Sequence, residues 1–177
     1  MENIVIVDCI RTGLAKSHRG TFNMTRSDDL VAHCIDALLT RNPQLDPAQV
    51  DDVVLGCGRQ IGEQSGNVAR HAVALSQLPI TVPATTISRA CSSGLNSIAI
   101  AATQIASGCA EIMLAGGVES ITGLSRGTPG EFAENPRLMS EKPDMYMAMG
   151  NTAEVVARRY QVTREAQDAY ALSLSLI

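Results

Sequence analysis

The feature that most constrains this chain is a regular alternation of short apolar runs with helix-length amphipathic stretches. NIVIVDCI, DDVVLGCG, VPATTIS and EIMLAGG are short and largely continuous in apolar residues, several of them β-branched. Such runs fit strands buried on both faces of a sheet. Between the first two, Leu30, Val31, Cys34, Ile35, Leu38 and Leu39 share one face of a helix. Ser27 is the expected N-cap, with Asp28 and Asp29 favoured at the positive end of the helix dipole. Asn42 and Pro43 end that helix. GEQSGNVARHAVALSQL reads as a Gly-rich loop entering a second helix, with Val68, Ala69, Ala72, Val73 and Leu75 available for packing. CSSGLNSIAIAATQIASG reads as a third helix, rich in small residues and ended by Gly108. Strands and helices in strict succession predict an α/β layered unit over residues 1–120.

The character changes near residue 121. ITGLSRGTPGEFAENPRLMSEKPDMYMAMG is polar and rich in Pro and Gly, and reads as an excursion over the surface. Asn151 and Glu154 form an Asn-x-x-Glu capping pattern for a helix through Tyr160, and Thr163 starts another that runs to the end of the chain. Residues 121–177 are therefore expected to form a second, partial unit.

Charge and cysteine usage narrow the function classes. The net charge is −4 and no basic stripe occurs, which argues against nucleic acid as a partner. No apolar run is long enough to span a bilayer, and Asp8 and Arg11 interrupt the one early apolar stretch, so neither membrane insertion nor a secretory leader is expected. Cys9, Cys34, Cys57, Cys91 and Cys109 are odd in number and widely spaced, without a Cys-x-x-Cys pair. Zinc and dithiol chemistry are disfavoured, no metal is expected, and a reducing, cytoplasmic compartment is the simplest setting.

Cys91 stands apart because it follows an expected strand and opens an expected helix. A residue there lies at the edge of the sheet, on a sharp turn. The helix N-terminus favours a thiolate, and its backbone N–H groups suit a developing oxyanion. Ser92, Ser93 and Gly94 keep the turn small enough for a carbonyl carbon to approach, as in a nucleophile elbow with sulfur in place of oxygen. Free cysteine is more often a buried, inert apolar residue, and that reading is kept for the other four. A cysteine nucleophile ordinarily needs a base. His18, His33 and His71 are the histidines present, and none has a context that aims it at Cys91. A cysteine hydrolase on an ordinary α/β sheet would need a later histidine, and none follows His71.

SRACSSGLNSIAIAATQIASG followed by AEIMLAGGVESIT closely resembles the thiolase family, where Cys-x-Ser-Gly opens a central helix and Gly-Gly-x-Glu-Ser follows the next strand. Arg11-Thr12, GEQSGNVARHA, MGNTAEVVARRY and TREAQDAYAL resemble further segments of that family, in order along the whole chain. The resemblance implies an α/β thiolase-like N-terminal layered half, βαβαβα plus strands, with the start of a loop domain. It implies acyl transfer between a cysteine and coenzyme A: thiolysis of a 3-ketoacyl-CoA or condensation of two acyl-CoA molecules, within fatty acid metabolism. Cys91 then corresponds to the acylated nucleophile, with its own N–H as one oxyanion donor. Met149 corresponds to a substrate-pocket methionine. Acyl-CoA is the implied substrate, with no permanently bound cofactor and a homo-oligomer formed through the N-terminal half. The family's Asn-Glu segment, Gly-His-Pro histidine and Cys-x-Gly cysteine do not occur in these 177 residues. The chain is thus expected to be a truncated portion of such an enzyme, the alternative being a non-catalytic fragment or dimerisation module that keeps the half-fold. A ketoacyl synthase shares the Cys-Ser-Ser elbow, but Arg11-Thr12 and GGVES favour a thiolase.

Overall fold

A computed structural model describes residues 4–126 and 134–174. They fall into two compact units, one within residues 1–130 and one within 131–177. In the first, α1 (Ser27–Arg41) precedes β1 (Asp52–Gly56). Then come α2 (Val68–Leu75), β2 (Ala84–Ile87), α3 (Ser93–Ala106), β3 (Met113–Gly117) and α4 (Ile121–Arg126). The three strands form one parallel sheet in the order β2-β1-β3, with Val54 opposite both Thr85 and Ala115. Parallel neighbours need crossovers, which α2 and α3 supply.

Alternation along β1 divides the sheet between two helical layers. Val53, Leu55 and Cys57 join a buried cluster with Val31, Ile35 and Leu39 of α1 and with Val68, Ala69, Ala72 and Val73 of α2. Val54 and Gly56 turn to the opposite face, where α3 lies. The small residues there set the spacing. A Cβ on Gly56 would collide with the Ser93 carbonyl, and one on Gly117 would stand 3.2 Å from the Gly94 Cα. Ser97, fully buried in α3, donates its hydroxyl to the Gly116 carbonyl at 2.6 Å. Asp51 ties the sheet at its other end, its carboxylate accepting from the N–H groups of Glu111 (2.7 Å) and Ile112 (3.0 Å). The Ile112 and Glu111 bonds hold that carboxyl below the usual aspartate value.

The α/β layered class stands, with one strand fewer than expected. Residues 4–10 pair with no strand among the described residues, and Val5, Ile6 and Val7 are 70–81% exposed. β-Branched composition suits a pleated surface but does not create one; a strand exists only where its backbone groups pair with a neighbour. The segment is anchored by Asp8 instead, which accepts from Arg41 (2.7 Å) and Asn42 (2.9 Å) at the end of α1. Ser27 is not the N-cap of α1. Arg26 occupies that place, and the Ser27 hydroxyl is buried without a hydrogen bond. Tertiary groups serve the helix start: Glu63 accepts from the Ser27 N–H (3.1 Å), and Arg26 grips Asp28 through two hydrogen bonds. Burial would raise the Asp28 pKa, but the Arg26 pair overrides it and lowers it. Leu75 is half exposed, so the packed face of α2 ends at Val73. Asn67 caps α2, accepting from the Arg70 N–H and from the Thr86 hydroxyl.

The second unit holds α5 (Pro136–Glu141), a 3₁₀ turn over Pro143–Tyr146, α6 (Met149–Tyr160) and α7 (Arg164–Leu174). Asn135 caps α5 with Pro136 at its first position. Asn151 does not cap α6. The Thr152 N–H reaches the Ala148 carbonyl (3.0 Å), which closes the first turn earlier and leaves Asn151 inside the helix. Thr163 does open α7, accepting from the Ala166 N–H. Part of the Pro- and Gly-rich excursion (127–133) and the last three residues of the expected terminal helix lie outside the described residues. No helix among the described residues is long and apolar enough to cross a membrane.

Candidate functional site

Cys91 lies between the last residue of β2 and the first of α3, as its sequence context predicts. Two overlapping turns carry it: the Ser92 N–H donates to the Arg89 carbonyl and the Ser93 N–H to the Ala90 carbonyl, both at 3.2 Å. The bend is concentrated at Ala90, whose φ of 49° is left-handed. For a residue with a Cβ that conformation costs about 1–2 kcal/mol.

Ser93 supports it. Its hydroxyl, on a residue only 3% exposed, accepts from the Arg89 N–H (2.7 Å) and donates to the Ala90 carbonyl (2.6 Å). One oxygen thus bridges both sides of the strained residue. Beneath the turn, Gly56 admits the Ser93 backbone, and Gly58 faces the Ala90 carbonyl closely enough that a Cβ would stand 3.1 Å from its oxygen. The Ser88 hydroxyl donates to the Gly58 carbonyl (3.2 Å), and the Arg89 guanidinium donates to Asn96 in the first turns of α3 (2.8 Å). Cys91 emerges exposed at the N-terminal end of a fourteen-residue helix.

The other cysteines differ from it and from one another. Cys57 follows β1 and is fully buried, its sulfur directed at the Arg59 carbonyl (3.6 Å). Burial, reinforced by the nearby Glu119 charge, pushes its thiol up to about 11. Burial also raises Cys34. Cys9 and Cys109 are exposed rather than buried. His18, His33 and His71 are all exposed. Met149 is the first residue of α6, 71% exposed. An open groove of about 480 Å³ on that unit is lined by Met147, Asn151, Glu154, Val155 and Arg158, not by Met149 itself.

Sequence reasoning passed over a polar group beside the turn. Gln64 is fully buried; its amide donates to the Arg59 carbonyl (2.8 Å) and to Glu119 (2.7 Å), and its oxygen accepts from the Ser120 N–H. The second Glu119 oxygen accepts from the N–H groups of Gly58 (2.9 Å) and Arg59 (3.2 Å). The sequence signals were GEQSGNVARHA, which contains Gln64, and the Gly-Gly-x-Glu-Ser motif, which contains Glu119; neither discloses that the two meet across fifty-five positions.

The family model described as "Thiolase, N-terminal domain" matches residues 4–174. The chain belongs to the thiolase family. Its thiolase relatives agree: a protein named 3-ketoacyl-CoA thiolase from Cronobacter sakazakii is 40% identical over 171 residues. Proteins of the same name from Escherichia coli O139:H28 and Vibrio vulnificus are 42% and 39% identical. Each alignment covers 97% of this chain and 44% of the relative, so the chain spans under half the length of these thiolases. The motif resemblance and the thiolase-like half-fold are both borne out.

Proposed function

We propose that Cys91 is the acyl-accepting nucleophile of a thiolase acyl transfer and that its partner substrate is an acyl-CoA. The carrying observation is its exposed position at the start of α3, on a turn braced by Ser93 and Ala90. In the step assigned to it, the Cys91 thiolate attacks the thioester carbonyl and a new C–S bond forms. The C–S bond to coenzyme A then breaks, and the released thiolate takes up a proton. The N–H of Cys91 serves as an oxyanion donor in this reading. The relatives' name supports 3-ketoacyl-CoA thiolysis; the proposal adds fatty acid metabolism, a cytoplasmic setting and a homo-oligomer formed through the N-terminal half. The loop-domain assignment extends to residues 121–177, with Met149 in the substrate pocket. A second reading, a half-fold that packs without turning over, is favoured by the exposure of all three histidines.

The test exposes the 177-residue chain to acetyl-CoA at pH 9, where at least about half of an ordinary cysteine thiol is ionised and needs no base. Peptide-level mass spectrometry then compares Cys91 with Cys9 and Cys109, two exposed cysteines that act as internal controls. Cys91 is expected to acquire acetyl groups about tenfold faster than either control, because only it has a helix N-terminus beside the developing oxyanion. Labelling no faster than at Cys9 and Cys109 overturns the assignment.

A further inference from the structure

Cys91 is held by contacts that do not end at its own turn. Gly58 lies against the Ala90 carbonyl, one residue before the cysteine, and the Gly58 carbonyl accepts from Ser88, three residues before it. What fixes Gly58 in turn is Glu119, which receives its N–H and that of Arg59 on one oxygen. Gln64 fixes the other Glu119 oxygen, and is fully buried with both ends of its amide bonded. The cluster joins the loop after β1 to the loop after β3, and β2 with its elbow stands beside β1 in the sheet.

We infer that Glu119, clamped by Gln64, is a positioning residue that sets the orientation of Cys91 by holding Gly58 against the Ala90 carbonyl. The inference rests on the reading of Cys91 as the reactive sulfur. The carboxylate suits the task because it is acceptor-only and can take three N–H groups at once. A glutamine at 119 would turn its own amide toward the amide of Gln64 or toward Gly58 and Arg59, and so break the set on one side. A left-handed residue with a Cβ persists only where its surroundings over-determine it, and Gly58 is one of those surroundings.

The experiment measures iodoacetamide alkylation of each cysteine by peptide mapping across pH, in the full chain and in Glu119→Ala. The variant is expected to slow Cys91 about threefold near pH 7 and to alter its rate–pH profile, as the sulfur shifts from its place at the start of α3. Cys34, partly buried on α1, is expected to keep its slow rate, which a general loosening would not spare. Amide-exchange protection of Val53 to Leu55 reports whether the sheet persists. Should Glu119→Ala lose that protection, Glu119→Gln, which keeps one oxygen acceptor, decides on the same Cys91 readout. A Cys91 rate and rate–pH profile equal to the parent's in a variant with an intact sheet overturns the inference. Altered alkylation without preferential acetylation by acetyl-CoA refutes acyl transfer but leaves the positioning role. Preferential acetylation with unaltered alkylation does the reverse.

Discussion

Two cysteines end adjacent strands of the same sheet and meet opposite fates. Cys57 follows β1 and turns toward α1 and α2, where it is enclosed and its thiol is pushed to about 11. Cys91 follows β2 and is carried past the sheet by a left-handed Ala90 to an exposed place at the start of α3. Both are sulfur atoms at C-terminal strand ends, so residue type and coarse position do not separate them. The pleat buries one, and the turn exposes the other.

The largest expected effect is the gap between their reactivities. A thiol near 11 leaves on the order of one in a thousand Cys57 side chains ionised at pH 8, before its enclosure slows the reagent further. An ordinary thiol is roughly a tenth ionised at that pH, so iodoacetamide should label Cys91 at least about a hundredfold faster in the native chain. In concentrated urea the two rates should converge. A native ratio near one would break the comparison outright.

Next in size is the floor beneath the elbow. Gly56→Ala places a methyl group against the Ser93 carbonyl, where the neighbour is backbone and cannot rotate away. Urea unfolding should show a loss of up to about 3 kcal/mol, and Cys91 should lose its advantage over Cys9 and Cys109. A variant as stable as the parent would mean that α3 can shift off the sheet at little cost.

The third test uses pH. The Cys57 pKa is higher in the folded chain, about 11, than the ordinary 9.0. The folded state therefore keeps a proton that the unfolded state releases between those values. The linked stability is fully present below pH 9 and is lost as pH rises through about 11, an effect on the order of 2–3 kcal/mol. Cys57→Ala, despite a constant cavity cost, should flatten the decline in urea midpoint over that range. An unchanged alkaline slope would assign the decline to other groups.

The smallest effect sharpens the Cys91 side. Ser93→Ala deprives the Arg89 N–H of its acceptor and the Ala90 carbonyl of one donor. A loss of about 1–2 kcal/mol is expected by chemical denaturation. Pairing it with Ala90→Gly, which removes the left-handed strain, should recover part of that loss; full additivity of the two changes would show that the hydroxyl does not brace Ala90.

Much of this was legible in order along the chain. The amphipathic face of α1, the apolar runs of β1, β2 and β3, and the strand–turn–helix placement of Cys91 follow from local period and composition, and each occurs where expected. The misses have a common physical cause. Ile4 to Val7 has strand composition but pairs with no strand among the described residues. Ser27 has a capping side chain, but Glu63 and the Arg26–Asp28 pair occupy the helix start.

The sequence by itself determined the places of α1, α2, α3, α6 and α7, the runs that form β1, β2 and β3, and that one cysteine stands between a strand and a helix. It carried enough motif to mark the chain as a member of the thiolase family. Only the tertiary structure decided which strand end is buried, that Ala90 takes the strain of the elbow, and that Glu119 and Gln64 meet across fifty-five positions. Local pattern fixes what a segment prefers along its own axis. Pairing, enclosure and hydrogen-bond satisfaction depend on neighbours distant in sequence, and those are chosen only when the layers pack.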